Sequence, residues 1–314
     1  MNFQQLRIIR ETVRRKFNLT DVANALYTSQ SGVSKHIKDL EDELGIELFV
    51  RRGKRLLGLT EPGKELVGIV ERMLLDAKNI KQLAEQFALS DQGELTVATT
   101  HTQARYALPE VVVKFKKLFP KVHLVLHQAS PKEILAMLLD GSADIGVATE
   151  ALEENPDVVA FPYYSWDHAV IVPAGHELEN IDPLTLDAIA EHPIITYDPG
   201  FTGRSRIDQA FAKASLVPDI IMTALDADVI KTYVEAGLGI GIIASVAYDA
   251  KRDTGLKLLP ARGLFARNTS RIAVRQGRYL RGYAYRFIEL CSGDLTESVV
   301  RSSIAPKSEA EVAD

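Results

Sequence analysis

Two groups of side chains carry the chemistry this sequence could perform, and neither is built for covalent catalysis. Thr99, Thr100, Thr102 and Gln103 crowd the point where an apolar run, ELTVA, gives way to a helical pattern. Hydroxyls and an amide at the carboxyl end of a strand, beside the free N–H groups of a helix start, offer donors to a small anion without adding charge. Thr149 stands at the corresponding end of a later strand. Thr202, in YDPGFTGRS, sits at a strand end beside another helix start, with Gly203 and Arg204 next to it. Trp166 lies on the crossing between two halves of this region, where it could wall a cleft. Any one threonine is better explained as a helix cap; the grouping is what points to a ligand.

The second group lies in NLTDVANALYTSQSGVSKHIKDLEDELG, residues 18–45. Leu19, Val22, Ala23 and Leu26 recur at helical spacing, with Thr20 placed to cap and Asp21 in the first turn. A second periodic run, Val33, Ile37, Leu40 and Leu44, follows Thr28 or Ser29 as cap. Two short helices on a tight turn form a helix-turn-helix pattern, whose second helix leads into a DNA major groove. The leading residues are Ser29, Gln30, Ser31 and Ser34, then Lys35, His36 and Lys38. They are small, polar or basic, and suited to groove edges or phosphates. Next, IELFVRRGKRLLGLTEPG reads as two strands around a basic turn, a wing in which Arg51, Arg52, Lys54 and Arg55 reach the phosphate backbone. The plainer alternative is an amphipathic hairpin with a solvated face and a solubilising loop.

The rest of the chain must position these groups. Its 314 residues allow two or three domains, and a 46% hydrophobic, 25% charged composition is that of a globular protein. No apolar run approaches the ~18 residues of a membrane span, and the N-terminus has no signal-peptide core. The lone Cys291 excludes an internal disulfide framework, so a cytoplasmic location is expected. Residues 1–58 hold 11 Lys or Arg against 7 Asp or Glu, and residues 59–314 hold 26 against 35. A basic head on an acidic body suits a polyanion bound at one end. Phe3, Leu6, Ile9 and Val13 stripe a first helix that can pack across the hairpin, with Arg7, Arg10, Arg14, Arg15 and Lys16 beside it. After Thr60 a long helix carries Leu66, Val70, Met73, Ala77, Ile80, Ala84 and Phe87 at heptad spacing, the pattern of a dimer seam. Beyond Ser90 the pattern alternates. Strands are expected at 94–99, 122–128, 144–150, PIITY, DIIMTA, GIGIIA and 270–275. Helices are expected to Leu118, from Pro131 to Gly141, near 183–190, and at 204–214, 226–235 and 279–290. This is an α/β region of βαβ units with parallel strands, in two lobes around a cleft.

Enzymatic readings fare poorly. His123 and His127 share a strand face about 13 Å apart, too far for common metal ligands. Cys291 sits in the last helix without an adjacent histidine and reads as packing. GLGIGII lacks the spacing and lysine of a phosphate loop. Asp226 and Asp228 fall at a helix start, where carboxylates are favourable without catalysis. A transport binding protein would share two lobes but would need an export signal and no DNA-binding head.

The helix-turn-helix, wing, long helix and two-lobed body resemble the LysR-type transcriptional regulators over nearly the whole chain. The motifs that carry this are LYTSQSGVSKHIKDLEDELGIELF, ATTHTQARYALP and TALDADVIKTYVEAGLGIGIIAS, which resemble the cysteine-regulon activators of that family most. Ser31 departs from them, where they carry proline, and the C-terminal tail is short. The resemblance implies a winged helix-turn-helix at 1–59, a linker and dimerisation helix at 60–90, and an effector domain at 91–302 like the periplasmic binding proteins. Its first lobe would span 91–163 and 268–302, its second 164–267, with a flexible tail at 303–314. The same resemblance implies that Thr100, Thr102, Gln103, Thr149, Trp166 and Thr202 line a site for sulfate or another small ligand. It implies a non-enzymatic regulator, mainly an activator, of sulfur assimilation and cysteine synthesis, without a cofactor. N-acetylserine, O-acetylserine, sulfate or thiosulfate would be effectors. Partners would be double-stranded promoter DNA, RNA polymerase, and copies of itself as a homodimer assembling to a homotetramer. Regulation of sulfate-starvation or alkanesulfonate-use genes is the alternative.

Overall fold

The computed structural model describes residues 1–53, 55–88, 91–153 and 155–305. Two compact units divide it, Met1–Glu85 and Gln86–Asp314.

In the first unit α1 (Phe3–Arg14) starts at a capping box, Asn2 with Gln5. α2 (Leu19–Ala25) is capped by Asn18, not by Thr20. Asn18 Oδ1 accepts from the N–H groups of both Thr20 and Asp21, which an asparagine two residues earlier reaches and a helical threonine does not. α3 (Gln30–Leu44) starts at Ser29 and stops at Gly45, which takes the left-handed φ of 70°. β1 (Phe49–Arg52) and β2 (Arg55–Leu59) pair antiparallel, with Arg52 opposite Arg55 at the wing tip. Ile8, Val22, Val33, Ile37, Leu40, Leu48 and Phe49 make the core beneath them.

α4 (Glu61–Ala88) is capped by Thr60, whose hydroxyl accepts from Gly63 N–H at 3.1 Å. A side chain at Gly63 would place its Cβ 2.1 Å from Leu48 O, so only glycine lets α4 approach the wing this closely. The expected seam divides here. Val70 and Leu74 are buried against Leu6 of α1, with Leu66 and Met73 packed alongside. Leu66, Val70 and Met73 therefore serve, in whole or part, the unit's own core, because α1's apolar stripe runs beside them. Ile69, Ile80, Leu83 and Ala84 stay exposed, while Phe87's side chain lies outside the described residues.

The second unit holds two five-stranded sheets. Its elements are β3 (Gly93–Thr99), α5 (Pro109–Leu118), β4 (Val122–Gln128), α6 (Pro131–Asp140), β5 (Ile145–Ala148), β6 (Val158–Trp166), β7 (His168–Pro173), α7 (Leu186–Ala190), β8 (Ile194–Tyr197), α8 (Arg204–Lys213), β9 (Ile220–Ala224), α9 (Ala227–Glu235), β10 (Ile240–Ala244), β11 (Leu256–Pro260), β12 (Asn268–Arg275), α10 (Gly282–Cys291) and α11 (Glu297–Ile304). Lobe I orders its strands β4-β3-β5-β12-β6, and lobe II β11-β7-β10-β8-β9. Three strands in each sheet run parallel, as the βαβ pattern requires. The strands next to each crossing do not: β12 runs antiparallel to β5 and β6, and β7 to β10 and β11. A chain that leaves one sheet and returns to it after building the other need not keep strand direction. β6 continues in lobe I through Trp166, so the lobe boundary falls at Asp167 rather than at 163–164. Ser303 and Ile304, expected in a frayed tail, continue α11, and Ile304 is buried in the lobe I core.

Candidate effector cleft and DNA-reading surface

β3 ends at Thr99, where the chain enters a π-helical turn, Gln103–Ala107. Thr99, Thr100, Thr102 and Gln103 are all buried at this corner, and Thr100 N–H ties it to β5 through Val147 O. The centre of the arrangement is Ser270 on β12, which sequence reasoning missed. Trp166 Nε1 donates to Ser270 Oγ at 3.0 Å, and Gln103 Nε2 donates to it at 2.9 Å. Thr149 Oγ1 lies 3.3 Å away. A hydroxyl accepts two hydrogen bonds and donates one. The indole and amide N–H groups fill both acceptor positions, so Ser270 directs its own proton to Thr149, which keeps its hydroxyl proton to offer. Gln103 Oε1 in turn accepts from the Tyr164 hydroxyl at 2.9 Å. Thr102 Oγ1 is buried and has no hydrogen-bond partner among the described residues. Leaving such a group unpaired typically costs about 1–3 kcal/mol, which a ligand oxygen would recover.

On the lobe II side, buried Thr202 has φ 42° and precedes Gly203, the cap of α8. His168 Nε2 lies 3.2 Å from Thr202 O, and His168 Nδ1 lies 3.3 Å from Asn268 Nδ2. Burial pushes His168 down to about 4, so the ring is neutral, with Nε2 protonated toward the carbonyl. Its ring meets Trp166 edge-on at 5.0 Å. The structure thus joins Gln103, Thr149 and Trp166 through Ser270, and Thr202 to Trp166 through His168. Trp166 ends β6 rather than lying on the crossing. Arg204 offers no charge to a ligand: its Nε bonds Asp208 at 2.7 Å and its Nη1 the Tyr197 carbonyl at 2.5 Å.

A second polar group bridges the lobes. Tyr106, in the π-helical turn of lobe I, donates to Asp228 Oδ1 of α9 at 2.8 Å, and Arg105 Nε sits 2.6 Å from Asp228 Oδ2. Lys231 Nζ reaches Tyr106, Asp228 and Asp253. Burial works against the Asp228 charge, but Tyr106, Lys231 and Arg105 outweigh it and hold the carboxyl below its ordinary range. His101, Asp226 and Asp228 bring three ligating atoms within 4.8 Å. Asp226 already caps α9 and Asp228 already meets Arg105 and Lys231, so both carboxylates have partners of their own. His123 and His127 are exposed on the edge strand β4. Burial pushes the Cys291 thiol up to about 12, as suits a packing residue.

In the first unit Ser29, Gln30, Ser31, Lys35 and Lys38 are exposed along the start of α3, with Ser34 and His36 half-buried. Ser29 Oγ accepts from Gly32 N–H at 3.0 Å, so it caps the helix before it can meet a base. Arg52 and Arg55 are exposed; Lys54 lies outside the described residues. Arg51 differs from its neighbours. Its Nη2 bonds Glu41 Oε2 at 2.6 Å, while Glu41 Oε1 accepts from Leu48 and Phe49 N–H. A buried carboxylate needs a cation and donors, and Arg51 supplies the cation. Tyr27, missed in the sequence, is 98% exposed in the turn between α2 and α3. The signal that could have found it is a large aromatic in a turn that the core does not claim.

A winged helix-turn-helix joined through a long helix to a two-lobed α/β unit defines a ligand-responsive, DNA-binding transcriptional regulator. Residues 3–64 match the bacterial regulatory helix-turn-helix protein, lysR family, and residues 89–295 match the LysR substrate binding domain. The chain belongs to the LysR family, and so is a regulator rather than a catalyst. It is 61% identical over 300 residues to the HTH-type transcriptional regulator SsuR of Burkholderia cenocepacia, covering 96% of this chain and 97% of that one. It is 53% identical to cbl of Escherichia coli, over 99% of both chains, and 50% identical to CysB of B. cenocepacia, again over 99% of both. The crystal structure of the cofactor-binding domain of the Cbl transcriptional regulator superposes with a TM-score of 0.66 at 48% identity, covering 68% of this chain and 93% of that one.

Proposed function

We propose that this regulator reads promoter DNA with α3 and the wing, and controls sulfur-assimilation and cysteine-synthesis genes according to a small ligand held between its lobes. The observation that carries the ligand half is the buried, uncharged donor set around Ser270, beside a Thr102 hydroxyl with no partner. Neutral donors of this kind suit sulfate or thiosulfate, or the carboxylate of N-acetylserine or O-acetylserine. Thr100, Thr102, Gln103, Thr149, Trp166 and Thr202 form the ligand set, with Gln103 and Trp166 acting chiefly as its frame. Gln30, Ser31, Ser34, Lys35, His36 and Lys38 face the groove, and Arg52, Lys54 and Arg55 the phosphates. Ser29 and Arg51 hold these elements in place. The exposed Ile69, Ile80 and Leu83 pair α4 with a second copy, since one reading helix meets only half of a symmetric site. Two such dimers make a tetramer on promoter DNA in the cytoplasm, where RNA polymerase is the further partner. Identity to the relatives named SsuR and cbl exceeds that to the one named CysB, which supports a second reading, control of sulfate-starvation or alkanesulfonate-use genes.

The test has two arms. Bound promoter fragments are mapped genome-wide; a set without sulfur genes removes both regulons. Sulfate, thiosulfate and the two acetylserines are titrated into wild type and Thr102→Ala, following Trp166, the chain's single tryptophan. Thr102→Ala is expected to bind about 5- to 150-fold more weakly, the equivalent of one lost buried hydrogen bond. Equal affinities would remove the site.

A further inference from the structure

The residue after Thr149 puts a carboxyl group where an anion site would hold its ligand. Glu150 leaves β5 in lobe I, and its Oε1 accepts from the backbone N–H of Gly203, the cap of α8 in lobe II. Gly203 brings no capping side chain. A Cβ there would stand 2.4 Å from Asn268 Oδ1, at a φ of 71°. The helix start therefore presents a bare N–H to the opposite lobe, and Glu150 takes it. Glu150 Oε2 is buried and has no hydrogen-bond partner among the described residues. The carboxyl lines a cavity of about 350 Å³ with Thr149 and Asn268, both within the hydrogen-bonded group that surrounds Trp166.

Among the described residues, the charged groups around this cavity are Arg206 of α8, Arg271 of β12, Arg267 just before β12, and Glu153 in Glu150's own loop. Arg271 is paired with Glu153, and Arg267 Nε lies 3.8 Å from Asp167. Arg206 alone among them pulls on the Glu150 proton. Burial outweighs the N–H groups of Gly203 and of Glu150 itself, together with the Arg206 charge, and pushes Glu150 up to about 7.

We propose that Glu150 is a tethered anion: it occupies the α8 N-terminus, and a free anion binds there only with uptake of a proton by Glu150. Two negative charges cannot share one N–H in a buried site. Once neutral, the carboxyl turns from competitor to donor, and its Oε2–H can face a ligand oxygen. Glu150 then sets the terms on which the cleft accepts an oxyanion, tying its affinity to pH, while a neutral ligand that leaves the Gly203 N–H to Glu150 needs no proton. The inference rests on the effector site proposed above.

The test uses the full-length protein and sulfate, whose charge is constant between pH 6 and 8.5. Binding is followed by Trp166 fluorescence and by calorimetry in two buffers of different ionisation heat. Wild type is expected to lose affinity above pH 7, approaching tenfold per pH unit, with about one proton taken up per sulfate near pH 8. Glu150→Gln keeps a carbonyl oxygen for Gly203 N–H and carries no charge. It is expected to bind sulfate independently of pH, and about tenfold more tightly than wild type at pH 8. No proton uptake by wild type, or an unchanged pH slope in Glu150→Gln, would overturn the proposal while leaving the site intact if Thr102→Ala still weakens sulfate. Absence of sulfate binding by both proteins at every pH would end the site reading and this inference together.

Discussion

Ser270→Ala removes one hydroxyl and tests the centre of the cleft. Ser270, Gln103 and Trp166 are 0%, 1% and 3% exposed, so water does not replace what the serine supplied. The substitution leaves Trp166 Nε1–H and one Gln103 N–H without the acceptor they meet at 3.0 and 2.9 Å. Each orphaned buried donor costs about 1–3 kcal/mol, so the second unit should lose about 2–6 kcal/mol. For a unit of this size that corresponds to a fall in Tm of roughly 4–24 °C. The assay is thermal unfolding followed by near-ultraviolet circular dichroism of Trp166, which reports the same contact. Ser165→Ala is the control, since its hydroxyl is exposed and pairs only with Thr269 at 3.1 Å, and a change below about 0.5 kcal/mol is expected there. If Ser270→Ala unfolded within 2 °C of wild type with an unchanged Trp166 spectrum, the donor accounting around Ser270 would be wrong.

Local periodicity made the head and most strands legible. The Leu19–Leu26 and Val33–Leu44 spacings answer to α2 and α3, and the alternation around Gly53 to the wing, because each pattern is satisfied by neighbours a few residues away. Three things were hidden for one reason, that their partners are distant in sequence. Ser270 lies over a hundred residues from both Trp166 and Thr149, and nothing in SRIAVR marks its serine as an acceptor. Arg51 looked like its wing neighbours because the Glu41 it neutralises sits on the far side of a turn. The heptad of α4 points to a single partner, whereas α1 takes Val70 and Leu74 and leaves Ile80 exposed. A heptad states that a helix wants an apolar neighbour and does not say which. Strand direction after a crossing was illegible too, since β12 and β7 carry the same apolar runs in either orientation.

The remaining predictions separate these roles. Arg52→Ala should weaken all DNA sequences alike and lower the salt slope by about 1, read by titration at several salt concentrations. Arg51→Ala should instead destabilise the head by about 1–2 kcal/mol in urea unfolding, because Glu41 stays buried without its cation; equal behaviour of the two variants would contradict the ion-pair assignment. Ile80→Asp with Leu83→Asp should dissociate the dimer in sedimentation, and an unchanged mass would move the interface away from α4. His168 gives the last test, through acid. Its unfolded value is 6.5 and its folded value about 4, so below pH 6.5 the unfolded chain takes a proton that the folded ring refuses. Its contribution is complete above pH 6.5 and is lost as pH falls toward 4, by about 3 kcal/mol across the window. Because Glu150 titrates in the opposite sense, the informative quantity is the difference between wild type and His168→Gln in urea midpoints from pH 7 to pH 4. That difference should shrink steadily on acidification. A constant gap would show that the imidazole is not held neutral between Thr202 and Asn268, and the link from Trp166 to lobe II would have to be drawn through other atoms.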